Sequence, residues 1–328
     1  MFGSVEPRSQ KLSPKPRVLV TGGSGFLGQS VVPALVQHCD VVVSGDIREP
    51  QRKVGGVHYV DCDITEANVV GEIVRNHRID TIVHLAAVVN PDPSMDRGLI
   101  YKIDVDGTKN VLNAAINNKA NRIVVTSSGA AYGYYPDNAL PLKEEHPIRG
   151  NVEFAYSHHK RLVEELLAET RDEHPELGQV ILRVGTILGM SVDNQITALF
   201  KRPKLLKVRG HDSPFVFIWD EDLTEIVVKS VTAETTGIFN VAGDGWLSVD
   251  ELAEILGKKV MTIPAGLLKI GLWVAHKLRV SRYGPEQIRF LQYRPVLDNA
   301  KLKSAFGYSP KLSSREAFVH WAKAAGLI

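Results

Sequence analysis

The chain has 328 residues, 44% of them apolar and 23% charged, with a net charge of +2. That is enough to bury a large core, and it excludes a disordered or fibrous chain. No basic tract favours nucleic acid, no run of about twenty apolar residues marks a transmembrane span, and the two cysteines, Cys39 and Cys62, form neither a zinc spacing nor a disulfide framework, so a cytoplasmic protein is expected.

Residues 1–16 are polar and proline-bearing, lack the apolar stretch of a signal peptide, and read as a disordered tail. Residues 18–20, Val-Leu-Val, read as the end of a buried parallel strand. The chain turns over Thr21 to Gly25, and residues 26–32 open a helix. Strand, glycine turn and helix make a phosphate cradle: amides at a helix N-terminus attract an anion, and glycine lets a pyrophosphate approach the backbone. The glycines are Gly22, Gly25 and Gly28, with Phe26 and Leu27 between the last two, spaced G-x-x-G-x-x-G rather than G-x-G-x-x-G. A tight turn without a ligand has the same glycines, so the residues downstream must decide. A second strand, 40–46, ends at Asp46, followed by Ile47. An acid there is placed to hydrogen-bond both ribose hydroxyls of an adenosine and repels a 2′-phosphate, which favours NAD over NADP. Arg48 could accommodate that phosphate and keeps NADP as the lesser reading.

A third strand at 58–60 leads to Asp63 and Ile64, which could border an adenine ring, one by a hydrogen bond and one by apolar contact. Asp63 or Thr65 can equally cap the helix expected at 66–76. A fourth strand, 81–87, ends in Leu85 and the small Ala86 and Ala87, which let a cofactor lie against the backbone. His84 beside them reads as a core histidine rather than a catalyst. A long amphipathic helix is expected at 95–117, and a fifth strand at 122–128 ends in three hydroxyls, the last being Ser128. A helix from about 154 to 172 follows, then a sixth strand at 180–185. The βα alternation predicts an α/β fold, a doubly wound Rossmann-type parallel sheet over residues 17–189. From 190 to 328 the pattern breaks into a smaller mixed substrate-binding lobe, of which segments near 215–242 could return to the main sheet.

Tyr156 and Lys160 are four apart on a predicted helix and share a face. A free phenol holds its proton at neutral pH, and an adjacent ammonium favours the phenolate. Ser128 could hydrogen-bond the same oxygen. A secondary alcohol would then lose its proton to Tyr156 while its hydride leaves to nicotinamide. A surface Tyr–Lys pair with a capping serine would show the same spacing.

TGGSGFLG at 21–28, Asp46, Asp63-Ile64, HLAA at 84–87, DVDGTKNVL at 104–112, TSSGAAYG at 126–133 and YSHHK at 156–160 stand in the order and spacing of one family, as do FIWDEDL at 217–223, FNVAGDG at 239–245 and FGYSPK at 306–311. In these stretches the chain resembles the extended short-chain dehydrogenase/reductases, the NAD-dependent epimerase/dehydratase family, over nearly its whole length after the tail. The resemblance implies a catalytic triad of Ser128, Tyr156 and Lys160, with Lys160 also on the nicotinamide ribose and residues 184–186, Val184 first, facing the nicotinamide.

Departures from the family pattern narrow the chemistry. Members that remove water carry an Asp-Glu pair after the catalytic hydroxyl, where this chain has Gly129 and Ala130; related decarboxylases use a Glu at the place of Ala130. Sugar-nucleotide members usually place an Asn soon after the arginine of strand six, but residues 183–189 contain none, and Leu188 replaces a common Tyr. Asp104 stands where the family usually has Asn, and Trp219 where His is common. The resemblance leaves a sugar-nucleotide epimerase, a 3β-hydroxysteroid-type dehydrogenase on an apolar alcohol, and a non-catalytic NAD sensor open. The expected partner is a small-molecule substrate, no metal is implied, and a homodimer stays open. Residues 264–282 are apolar on one side with interspersed basic residues. They fit a lobe helix packed on the core, or an apolar lid or membrane-contacting helix.

Overall fold

A computed structural model describes residues 15–89, 91, 92, 94–278 and 284–328. The expected tail therefore lies outside the described residues except for its last two. Six strands run through residues 17–184, with helix between all neighbours but the second and third: β1 (Arg17–Thr21), β2 (Val41–Asp46), β3 (Val57–Asp61), β4 (Thr81–His84), β5 (Arg122–Ser128) and β6 (Gly178–Val184). The chain continues through β7 (Thr186–Leu188), β8 (Lys204–Val208), β9 (Phe217–Trp219), β10 (Gly237–Val241) and β11 (Lys259–Ile263). Seven strands form one parallel sheet in the order β10-β6-β5-β4-β1-β2-β3.

β1 is an apolar run because both faces are covered. On one side Val18 and Val20 pack on the helices Gly28–Leu35 and Asp220–Thr232; on the other, Leu19 packs on Ala67–Asn76, Gly107–Asn117 and Ala155–Glu173. The order reverses between β1 and β4, so their carboxyl ends diverge and leave the crevice in which such sheets bind ligands.

β10 lies beside β6, with Asn240 opposite Arg183. A buried network ties this region together. Arg183 donates to both oxygens of Glu164, with Nη2 at 2.7 Å, and through Nη1 to the Tyr132 hydroxyl at 2.8 Å. Tyr132 in turn donates to Asn240 Oδ1. Removing one partner from such a buried ion pair costs about 3–5 kcal/mol. The remaining lobe is built on two parallel pairs, β7 with β9 and β8 with β11, around Phe200, Phe215, Phe217, Phe318 and Trp321.

Three elements differ from expectation. The first helix begins at Gly28, not Phe26, because Phe26 and Leu27 remain in the glycine turn. The helix expected over 95–117 is Arg97–Tyr101 and Gly107–Asn117 joined by a π-helical turn, Lys102–Asp106. Such wide turns re-aim a side chain, and here Asp104 Oδ1 accepts the Val88 amide at 2.8 Å. The short pairs β7–β9 and β8–β11 have no counterpart in the sequence reading, since strands of three to five residues carry little periodicity.

Candidate active site

The glycine turn is shaped by close approach. Gly22 has φ +73°, and a Cβ there would stand 2.6 Å from the Ala86 amide nitrogen. A Cβ on Gly28 would lie 2.4 Å from Gly22 O, so only glycine lets the helix enter this close to the turn. Gly25 sits between them, its amide bonded to Gly22 O. No side chain caps the helix N-terminus, and the amides of Phe26 and Leu27 have no backbone acceptor. Uncapped amides beside a bare glycine turn are what an anionic diphosphate requires.

Asp46 ends β2 beside this turn. Its Oδ2 accepts the Ser24 amide and its Oδ1 the Arg48 amide, each at 3.0 Å. The carboxylate is thus aimed before any ligand arrives. Arg48 Nε lies 3.4 Å from Oδ1, with its side chain mostly in solvent. Ile47 and Phe26 are exposed at the same edge. Asp63 Oδ1 accepts the Thr65 amide at 2.8 Å in the turn before the helix Ala67–Asn76, whose N-terminus at Glu66 has no side-chain cap, so neither Asp63 nor Thr65 caps it. Ile64 is buried beneath Gly107, leaving it little surface for a ligand.

Leu85, Ala86 and Ala87 follow β4 and are half-buried. His84 behind them is a satisfied core histidine, with Nδ1 2.7 Å from Thr21 Oγ1 and Nε2 3.0 Å from Thr108 Oγ1. Burial, and then the charge of Lys160, push its pKa down to about 3, so the ring is neutral.

Lys160 Nζ donates to Thr126 O at 2.8 Å and stands 5.7 Å from the centre of the Tyr156 ring. Helix Ala155–Glu173 thus brings Tyr156 and Lys160 to the end of β5. Ser128 closes β5 opposite Val184 on β6. Its Oγ accepts the Ala130 amide at 3.1 Å and caps the short turn Gly129–Tyr132. Among the described residues the Tyr156 hydroxyl has no hydrogen-bond partner. Ser128, Tyr156, Lys160 and Val184 therefore gather at one sheet edge, while Asp46 and the glycine turn lie at the other side of the crevice.

A small cavity beneath Lys160 is lined by Ala86, Asp104, Thr126 and His159 among others. Asp104 Oδ2 meets His159 Nδ1 at 2.9 Å in a buried pair. Through Val88 and His159, Asp104 joins the segment after β4 to the helix of Tyr156.

Arg294 went unnoticed in the sequence. Its guanidinium stacks 3.8 Å from the Phe215 ring centre and 4.8 Å from that of Phe290, and Nη1 donates to Ser213 O. Nε is buried with no acceptor, and among the described residues no carboxylate pairs with it. Burial pushes the group down to about 9, against the opposing influence of Tyr134. Tyr134 packs edge-on against Phe290 and against Phe154, the residue that precedes the helix of Tyr156. Arg294 is thereby linked to the Tyr156 side of the crevice. A lone arginine in a sequence gives no sign of this; only its approach to Ser213 and Phe215, some eighty residues away, does.

The sequence profile of the NAD dependent epimerase/dehydratase family matches residues 18–242. An uncharacterised protein of Mycobacterium tuberculosis is 24% identical over 94% of this chain and 84% of its own length. A UDP-glucose 4-epimerase of Azospirillum brasilense is 29% identical over 53% of this chain and 50% of its own. Among solved structures, the Bordetella bronchiseptica enzyme WbmG in complex with NAD and UDP superposes with a TM-score of 0.72 at 20% identity, covering 97% of each chain. A UDP-glucose 4-epimerase of Thermotoga maritima also gives 0.72 at 20% identity, over 94% of this chain and 98% of that one. These structural likenesses carry the fold.

Proposed function

This chain belongs to the NAD dependent epimerase/dehydratase family, and from that premise we propose that it is an NAD-dependent epimerase of sugar nucleotides, working by reversible oxidation of a secondary alcohol. The cofactor is NAD, and the uncapped turn at Phe26 and Leu27 with the pre-aimed Asp46 suits its diphosphate and adenosine ribose. Bound there, NAD would supply the acceptor, and in an epimerisation also the donor, of the hydride at the alcohol carbon. Tyr156 takes the hydroxyl proton as the carbonyl forms and gives it back as the carbonyl is reduced. Lys160, held by Thr126 O beside the Tyr156 ring, sets a positive charge near the oxygen on which negative charge develops during the proton transfer. Ser128 hydrogen-bonds the reacting oxygen while its own oxygen is positioned by the Ala130 amide.

The observation that carries the substrate class is Arg294. A half-buried guanidinium that no carboxylate pairs with among the described residues favours an anion from outside the chain, and a diphosphate supplies one with matching geometry. An uncharged apolar alcohol leaves that charge unpaired. Net dehydration does not fit, because Gly129 and Ala130, the residues that follow Ser128, carry no group that can transfer a proton.

The test is a screen of the purified protein with NAD against nucleoside-diphosphate sugars and uncharged secondary alcohols, steroids included. Epimerised sugar nucleotide without net NADH is the expected product. Turnover confined to uncharged alcohols with release of NADH, or loss of water from a sugar nucleotide, overturns the reading.

A further inference from the structure

The helix Ala265–Lys277 leaves its apolar side uncovered. Leu267, Ile270 and Val274 follow helical spacing along one stripe and are 63%, 61% and 41% exposed, and Leu278 continues it at 67%. Lys269, Trp273 and Lys277 form the adjoining rim at intervals of four. Trp273 is 53% exposed, and Lys277 Nζ stands 5.0 Å from its ring centre. Leu268 and Leu272, on the opposite side, are the ones that turn inward. An apolar core helix shows the reverse: long aliphatics buried and lysines outermost. Met261 on β11 adds a further exposed apolar side chain at 44%.

The local charge is one-sided. Between Glu254 and Glu286 the sequence holds six lysines and arginines and no acid. A two-fold contact with a second copy through this face would set those lysine rims against each other. A substrate lid needs its apolar stripe turned toward the crevice, whereas here the inward side holds Leu268 and Leu272. A membrane surface satisfies every feature at once. The stripe enters the acyl boundary, Trp273 sits at headgroup level, and the lysines extend to anionic headgroups along their aliphatic stems. Thirteen residues rise about 20 Å, so the helix lies along the surface and does not cross it. We propose that this helix docks the protein on the surface of an anionic lipid bilayer.

The experiment is co-sedimentation of the full chain with sucrose-loaded vesicles of phosphatidylcholine alone or with about a third phosphatidylserine, in low and high salt. Binding is expected to the anionic vesicles at low salt and to weaken as salt screens the lysines. Leu267→Glu with Ile270→Glu should lower partitioning at least tenfold. Lys269→Gln with Lys277→Gln should lower it about fivefold per lysine on anionic vesicles and leave phosphatidylcholine unaffected. All four positions are exposed, and unchanged NAD affinity checks that the variants fold. Equal sedimentation of the glutamate variant and the parent overturns the proposal, as does failure of the parent to bind anionic vesicles at low salt. A dimer in analytical ultracentrifugation that the glutamate variant converts to monomer, without vesicle binding by the parent, assigns the face to a second copy instead.

Discussion

The edge of the main sheet and the C-terminal lobe hold their candidate site residues in different ways. At the sheet edge strand ends place most of them, and the helix Ala155–Glu173 brings Tyr156 and Lys160. Asp46 ends β2, Gly22 follows β1, Ala86 follows β4, Ser128 ends β5 and Val184 ends β6, all in parallel register. In the lobe, Arg294 follows the short helix Gln287–Gln292 and is held by stacking on Phe215 and Phe290. Where strand ends do the positioning, a side chain can be replaced and the site keeps its shape. Where side-chain packing does it, charge and burial are part of the support.

The largest effect should come from the sheet edge. Tyr156→Phe keeps the ring and removes the proton acceptor, so turnover should fall by about 10²–10⁴-fold while NAD affinity, measured by fluorescence titration, changes little. A variant that keeps most of its turnover breaks the assignment of chemistry to this edge. Lys160→Met should damage both turnover and NAD binding, and its loss should not add to that of Tyr156→Phe, because both act on one proton transfer.

Arg294→Met tests the lobe. It should raise KM for a sugar nucleotide by about 10–100-fold, the worth of charge-assisted hydrogen bonds, with NAD affinity unmoved. An equal loss of NAD affinity would mean that the two regions do not divide cofactor from substrate.

A smaller effect comes from His84, buried between them. Its pKa falls from 6.5 to about 3 on folding. The unfolded chain therefore binds the extra proton between those values. The stability contributed by keeping the ring neutral is complete above pH 6.5 and declines toward pH 3, by about 1.4 kcal/mol per unit. Urea unfolding of His84→Gln across this window should lose that one-proton share of the slope; an unchanged slope would refute the buried neutral ring. The smallest change expected is for Asp46→Asn, whose single carbonyl oxygen can accept the Ser24 or the Arg48 amide but not both, as the two carboxylate oxygens do. NAD preference over NADP should narrow by about fivefold, the loss of one charge-assisted hydrogen bond. Tighter NADP than NAD binding in the parent protein would instead give the site to Arg48.

How much was legible in the sequence follows the same division. The glycine turn, Asp46, and the grouping of Tyr156 with Lys160 were readable, because each depends on spacing within a few residues and on what a backbone can do there. Gly22 is the clearest instance, since its positive φ and the Ala86 backbone 2.6 Å from a would-be Cβ exclude any side chain. The alternation of strands and helices likewise made a doubly wound parallel sheet the expected fold, for reasons of period and handedness that act locally. Only the tertiary structure decided the rest. The pairing of β7 with β9 and β8 with β11, the π-helical turn that seats Asp104 against Val88, and the isolation of Arg294 over Phe215 all join residues distant in sequence. The apolar stripe of Ala265–Lys277 belongs with them. Its composition allowed a packed helix or an exposed one, and the half-burial of Leu268 and Leu272 in place of Leu267 and Ile270 is a property of what lies beneath, which no local spacing records.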